Sequence, residues 1–157
     1  MTELQITPEP PDSSLAAALL GRYYDELAAR FPEGPDRFDL ALIAAPPSEL
    51  TPPNGLFLLA RRDGQAVGCG AVRTLDEGHA EIKRMWVDPA VRGSGIGRRL
   101  LTALESAAAD LGRRTVRLDT AAYLTEALPL YLSAGYVEIA AYNDNPYAAH
   151  WLEKQLP

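Results

Sequence analysis

Short apolar stretches follow one another through the middle of the chain, at residues 56–61, 66–74 and 79–87. Their length and their alternation of apolar with polar or small residues are typical of β-strands. Asp63 and Gly64 separate the first two stretches and form a strong hairpin signal, and residues 75–78 supply the next turn. The pattern therefore predicts an antiparallel meander of three strands.

The N-terminal third has a helical period instead. Apolar residues recur every four positions from Leu15 to Leu27, which predicts a helix over about residues 12–30. We expect a second, shorter helix at residues 36–45, followed by a structured loop in the proline-rich stretch that ends at Gly55. Residues 4–6 form a candidate first strand.

Strands and helices alternate in the C-terminal half. A helix is predicted from about residue 95 to residue 111, because Gly112 is a natural terminator after an apolar periodic run. The strands on either side of this helix form a βαβ unit and should run parallel. The further predicted elements are a strand at residues 113–119, a helix at 124–134, and final strands at 136–140 and 148–154.

These elements predict one α/β (α+β) domain over residues 1–157. Its sheet is mixed and mostly antiparallel, with a central parallel pair and helices on both faces. The helical part covers about residues 12–45, and the ligand-binding core covers about residues 56–140. In such a sheet a ligand belongs at the carboxyl ends of the parallel strands, where Val87 meets the following loop.

Composition narrows the function. The net charge of −6 opposes nucleic-acid binding, and no apolar run approaches the roughly 20 residues of a membrane span. The N-terminus lacks the pattern of a signal peptide, so we expect a cytoplasmic protein. Cys69 is the only cysteine and neither His79 nor His150 has ligand spacing, which makes a metal site improbable.

Positive charge is nevertheless concentrated at one place. Lys83, Arg84, Arg92, Arg98 and Arg99 fall within 17 residues of an otherwise acidic chain. This local cluster favours a small polyanionic ligand over a polyanionic polymer.

Three glycines lie beside that cluster, between a predicted strand and a predicted helix. Free backbone N–H groups and the positive end of a helix dipole meet there, which is a place to hold a phosphate or pyrophosphate. The residues after Gly97 do not fit a Walker-type loop, and glycines spaced by two do not fit the dinucleotide fingerprint. From this loop alone, a tight turn before a helix, without a binding role, is the alternative interpretation.

The loop resembles the Arg/Gln-x-x-Gly-x-Gly/Ala segment of the GNAT family of N-acetyltransferases, with Arg92, Gly95 and Gly97 in the defining places. Residues 81–89 look like the family's fourth strand and its Val-x-Pro exit. Residues 127–136 look like its Ala-x-x-Leu-Tyr-x-x-x-Gly-Tyr/Phe signature. Three matches in the right order are more specific than one loop.

The resemblance implies acetyl-coenzyme A as co-substrate and no metal. Its pyrophosphate would lie on the loop amides, and its pantetheine arm would pair with the fourth strand, whose last N–H polarises the thioester carbonyl. Many family members carry an asparagine where this chain has Leu124, which weakens that contact. The implied coenzyme-binding residues are Met85, Trp86, Val87, Arg92, Gly93, Ser94, Gly95, Ile96, Gly97 and Arg98.

The resemblance also implies catalytic roles. Tyr131 matches the family tyrosine that protonates the leaving thiolate, and a core tyrosine is the alternative. Glu81 matches the position of a catalytic glutamate in some members, and a structural carboxylate paired with Lys83 or Arg84 is equally open. Regular alternation would place Glu81, Lys83 and Met85 on one face of the strand.

Five aromatic residues are further candidates, for an acceptor pocket: Tyr23, Tyr24, Phe31, Tyr142 and Tyr147. The resulting hypothesis is an acetyl-coenzyme A-dependent N-acetyltransferase that acts directly on a primary amine of a small molecule or peptide. The alternatives are a non-catalytic acyl-coenzyme A-binding regulator and a nucleotide-binding domain. The expected partners are then acetyl-coenzyme A and an unidentified amine, and neither nucleic acid nor a membrane is expected. A homodimer is compatible with this hypothesis.

Overall fold

The computed structural model describes residues 3–157, which contain three α-helices and seven strands. The helices are α1 (Ser14–Arg30), α2 (Ile96–Asp110) and α3 (Ala127–Ser133). The strands are β1 (Leu4–Pro8), β2 (Gly55–Arg62), β3 (Gln65–Thr74), β4 (His79–Val87), β5 (Thr115–Thr120), β6 (Val137–Ile139) and β7 (His150–Gln155).

All the strands form one sheet in the order β1-β2-β3-β4-β5-β7-β6. The pair β4 and β5 is parallel, and every other neighbouring pair is antiparallel. The predicted mixed sheet with a central parallel pair is therefore confirmed. Within residues 3–157, none of the helices combines the length and the apolar character needed to span a bilayer.

Each face of the sheet is covered by helix. On one face, Leu100 and Leu104 of α2 pack with Ile82 and Val116, and α3 packs on the same cluster. On the other face α1 packs against Phe57 and its neighbours on the sheet. The expectation of helices on both faces is confirmed.

The helix predicted at residues 36–45 was wrong. The segment forms two single 3₁₀ turns, Pro35–Arg37 and Leu40–Leu42. Leu40 and Leu42 are 39% and 54% exposed, so no apolar face is buried there that would stabilise a longer helix. The Asp39 carboxylate also accepts the N–H of Ala41 and caps the second turn separately.

The parallel strands separate after a short contact. The β4–β5 pairing covers only residues 79–81 against 115–117, although β4 continues to Val87 and β5 to Thr120. Beyond this point β5 stays paired with β7, and the facing edge of β4 is left open. The separation opens a cleft at the carboxyl ends of the two strands.

A β-bulge interrupts β4 beside this opening. Cys69 of β3 is opposite Trp86, while Ala71 is opposite Lys83, so two residues of β4 face a single residue of β3. Arg84 at the bulge has φ of +56°. The bulge reverses the alternation: Met85 packs on the α2 side and Trp86 on the α1 side, so the expectation that Met85 shares a face with Lys83 was wrong.

Candidate active site

A cleft of about 420 Å³ lies between the separated strands. Its walls come from β4 from Glu81 to Val87, the end of β5, the start of α2, and parts of α1 and α3. Of the predicted catalytic and coenzyme-binding residues, all but Ser94 line it, and Ser94 lies in the same loop. The fold thus assembles segments that are more than 100 positions apart in the chain.

The glycine loop leads into α2 with its amides unpaired. Gly93 and Gly95 have φ of +85° and +84°, and Gly95 is the N-cap of the helix. The first helical N–H that is bonded is that of Arg99, to the Gly95 carbonyl. Within the described chain, the N–H groups of residues 93–98 have no protein acceptor. Together with the helix dipole, these free donors are suited to an anion.

The glycines also leave space at this point. A Cβ built at Gly93 or Gly95 meets no atom within 4 Å. A Cβ at Gly97 would lie 3.4 Å from Leu130 Cδ2, so α3 already packs closely there. A ligand can therefore approach the loop backbone, and larger residues would obstruct it.

Arg92 does more than border the loop. Its Nε donates to the Val87 carbonyl at 2.9 Å, and its Nη2 lies 2.8 and 2.9 Å from the two Glu26 carboxylate oxygens. Burial alone would raise the pKa of Glu26, but hydrogen bonds from Trp86 and Arg92 lower it overall. The Arg92 side chain thus ties the end of β4 to α1, while Arg98 donates to the Ser133 hydroxyl of α3.

Tyr131 lines the cleft from α3 and is 7% exposed. Its ring lies 5.9 Å from that of Tyr136 in an edge-to-face arrangement. Burial, followed by the negative charges of Asp119 and Glu126, raises the Tyr131 pKa, so the phenol stays protonated at neutral pH. Among residues 3–157 no hydrogen-bond partner is found for its hydroxyl, which is free to donate in the cleft.

Glu81 is 1% exposed and held in a polar network. Arg73 Nε and Nη2 both lie 2.9 Å from Oε1, and the Tyr142 hydroxyl donates to Oε2 at 2.7 Å. Lys83 Nζ is 3.7 Å from Oε1. The main ionic partner of Glu81 is therefore Arg73 of β3, rather than Lys83 or Arg84.

Asp119 is a cleft carboxylate that the sequence analysis did not single out. Asn143 Nδ2 donates to it at 2.7 Å and Asn145 Nδ2 at 3.1 Å. Burial raises the Asp119 pKa, and the nearby Glu81 charge adds to this effect. The signal that could have found it is its place near the end of β5, opposite the end of β4 in a parallel pair.

Several aromatic side chains line the cleft. Tyr23, Tyr24 and Tyr147 line it as expected, and Phe38 and Tyr123, which the sequence analysis missed, line it too. Two expected residues do not line it. The Phe31 ring packs 5.2 Å from the Tyr147 ring without lining the cleft, and the Tyr142 hydroxyl is hydrogen-bonded to Glu81.

No group of three or more histidine, cysteine, aspartate or glutamate side chains in residues 3–157 is arranged to hold a metal ion. The described site offers amide donors, a protonated phenol, the buried carboxylate of Glu81 and the half-buried carboxylate of Asp119.

Comparisons with known proteins agree with this geometry. The sequence profile of the acetyltransferase (GNAT) family matches residues 20–136. An IAA acetyltransferase of Azospirillum brasilense is 39% identical over 111 residues, which are 68% of this chain and 72% of the relative.

Two solved structures share the fold. An acyl-CoA N-acyltransferase structure from Klebsiella pneumoniae is 32% identical, with a TM-score of 0.77 over 98% of this chain and 97% of that one. YncA of Salmonella typhimurium, solved with acetyl-CoA, has a TM-score of 0.72 at 18% identity over 99% and 95% of the two chains.

The fold and the cleft define the acyltransferase class, in which a split between two parallel strands meets a glycine loop at a helix start. The chain belongs to the acetyltransferase (GNAT) family and is an N-acetyltransferase. The expectation drawn from the loop and the two flanking motifs is confirmed.

Proposed function

We propose that the protein transfers the acetyl group of acetyl-coenzyme A directly to a primary amine of a small molecule or peptide, with both substrates bound together. The observation that carries the proposal is the row of unpaired amides at residues 93–98 at the mouth of the cleft that contains Tyr131. The loop suits a diphosphate, and the phenol that lines the same cleft offers a proton donor.

The residues present fit the coenzyme. The amides of the loop and the open space at Gly93 and Gly95 accept a pyrophosphate. The edge of β4 that faces β5 is unpaired after residue 81, so an amide-bearing arm can add to it as a strand would. Leu124 lines the same cleft and offers no polar contact. Bound acetyl-coenzyme A supplies an acetyl thioester.

Val87 is suited to polarise a carbonyl in the cleft. The N–H of Asp88 donates to the Val67 carbonyl of β3. Because successive N–H groups of a strand point to opposite edges, the N–H of Val87 points away from β3 and toward the opening. A single aimed amide in a partly enclosed site stabilises a developing oxyanion.

The phenol of Tyr131 and the carboxylates of Asp119 and Glu81 are the groups that can donate and accept protons in the reaction. Tyr131, kept protonated by its raised pKa, donates to the leaving sulfur. Asp119 is the favoured proton acceptor for the amine, because its partners are neutral amides and its pKa is raised. Glu81, the residue implied by the resemblance, is the second acceptor; its Oε1 is already engaged by two nitrogens of Arg73.

A direct transfer is favoured over an acetyl-cysteine route. Cys69 is buried, its Sγ donates to the Arg84 carbonyl, and burial raises its pKa to about 12. A thiol in that environment is a poor nucleophile.

The test is thiol release from acetyl-coenzyme A with a panel of primary amines, paired with calorimetric titration of the coenzyme. Coenzyme binding with amine-dependent thiol release is the expected result. Binding without turnover of any amine would support a non-catalytic acyl-coenzyme A-binding protein instead. Stabilisation by ATP equal to that by coenzyme A would favour a nucleotide-binding domain.

A further inference from the structure

Arg84 is an unusual residue of the cleft. It sits at the β4 bulge with φ of +56°, lines the cleft, and is 7% exposed. Its Nε donates to the Tyr24 hydroxyl at 2.6 Å, while its Nη1 is buried without a hydrogen-bond partner in the described chain. A guanidinium carries its charge at any physiological pH.

The acidic side chains around the cleft are engaged elsewhere, and the cleft carboxylate without an ionic partner, Asp119, accepts from Asn143 and Asn145. Glu26 binds Arg92 and Arg30, and Glu126 binds Arg30. Glu81 binds Arg73, as described above. No carboxylate of residues 3–157 is within 4.0 Å of the Arg84 guanidinium, so its charge is uncompensated by an ion pair.

A buried cation without a counter-charge is unfavourable, and so is a positive φ at a long side chain. Lys83, the preceding residue, adds a second cation to the same wall, and its Nζ is only loosely placed at 3.7 Å from Glu81. Two cations, one of them buried and unpaired, are suited to an anion that arrives with a ligand. A carboxylate matches the planar donor geometry of a guanidinium.

The apolar lining of the cleft indicates the rest of the ligand. Leu27, Phe38 and Ile43 line the same cleft and present apolar surface to it. Arg84 lies on β4 three residues before Val87, and its side chain is bonded to Tyr24 of α1 rather than to the loop that suits the pyrophosphate, so this part of the cleft is assigned to the acceptor.

We propose that the acceptor is an amino acid with an apolar side chain, whose carboxylate binds Arg84 with support from Lys83. This inference rests on the proposed acetyl transfer, since it names the substrate class of the same site. The amine of such an acceptor is then oriented by its own carboxylate, which lowers the entropy lost on reaching the thioester.

The test compares acceptors that differ only in the carboxylate: L-phenylalanine, L-phenylalaninamide and phenethylamine. The wild-type enzyme should prefer L-phenylalanine in kcat/KM by at least about tenfold, the value of a charge-assisted contact. Arg84→Met should remove this preference by raising the KM for L-phenylalanine toward that for phenethylamine, with a much smaller change in kcat for L-phenylalanine. Arg84→Lys should keep part of the preference. Arg61→Met, a cation of β2 outside the cleft, is the matched control.

A binding measurement needs no turnover. In the presence of coenzyme A, N-acetyl-L-phenylalanine should raise the melting temperature of the wild type more than N-acetylphenethylamine does, and Arg84→Met should abolish the difference. The free Arg84→Met protein should melt no lower than the wild type, because an unpaired buried charge is removed. A large loss of stability would assign Arg84 a structural role and overturn the proposal.

The two proposals fail separately. Equal use of L-phenylalanine and phenethylamine, with amine-dependent thiol release intact, would overturn the carboxylate subsite and leave the acetyl transfer standing. Coenzyme binding without turnover of any amine would overturn the acetyl transfer. In that case, equal binding of the two acetylated products would overturn the subsite as well.

Discussion

Gly95 and Gly112 form a matched pair for testing the anion-binding loop. They lie at opposite ends of α2, with φ of +84° and +81°, and a Cβ at either meets no atom within 4 Å. Aspartate at each position therefore introduces the same backbone strain and the same charge. Only Gly95 belongs to the row of unpaired amides.

The stability changes can be estimated from this geometry. A left-handed L-residue costs about 1–2 kcal/mol, less for aspartate than for most residues. For a chain of this size that lowers the melting temperature by about 2–8 °C. The helix dipole favours a negative charge near its N-terminus and disfavours one near its C-terminus, each by about 0.3–1 kcal/mol. Gly112→Asp should therefore be the less stable variant.

The affinity for acetyl-coenzyme A should follow the opposite order. A charge-assisted amide contact contributes about 1.5–3 kcal/mol, so its loss at Gly95→Asp raises the Kd by about 10- to 150-fold. Gly112→Asp should bind as the wild type does. Calorimetric titration and thermal melts measure both quantities. Wild-type affinity in Gly95→Asp, or an equal loss in Gly112→Asp, would refute the assignment of the loop.

Three further changes test other parts of the account. Tyr131→Phe should lower kcat by about 100-fold or more with little change in coenzyme Kd, in steady-state assays; a full kcat would remove the phenol from the mechanism. Asp119 accepts a proton only above its raised pKa, so kcat/KM should fall as the pH drops through that pKa. Asp119→Asn should lose activity and also this acidic limb of the pH profile. If the variant keeps the acidic limb, the limb belongs to another group. Gly70→Ala would place a Cβ 2.6 Å from Leu104 Cδ1 and should lower the free energy of unfolding by about 1–3 kcal/mol, measured in urea. Gly21→Ala in α1, where a Cβ meets open space, should raise it. A change of the same sign in both variants would contradict the packing argument.

The elements with strong local signals could be predicted from the sequence. Asp63 and Gly64 both adopt the positive φ that their hairpin signal implies, and the strands on either side pair as expected. Gly112 ends α2 with positive φ, and Pro129 is accommodated as the third residue of α3, in its first turn. In each case a few adjacent residues determine the local backbone.

The features that could not be predicted depend on contacts between distant segments. The bulge at Arg84 arises from the pairing of β4 with β3, and a period-two pattern assumes a regular ladder. Asp119 becomes a cleft residue only because β4 and β5 separate and because Asn143 and Asn145 reach it from the loop before β7. The residues adjacent to Asp119 show neither contact, and only its position near the end of a predicted parallel strand points toward the cleft.

The departures from regular structure are concentrated at one place. The interrupted parallel pair, the bulge with a left-handed arginine, the unpaired amides of the loop and the carboxylates of Glu81 and Asp119 all border the same cleft. Each is unfavourable for folding when taken alone, and the remainder of the sheet is regular apart from a register shift at Ala60. Local structure that opposes stability is expected where binding or catalysis requires it. An Arg84→Met protein that is at least as stable as the wild type, but has lost the preference for carboxylates, would show that this unfavourable local structure serves acceptor binding.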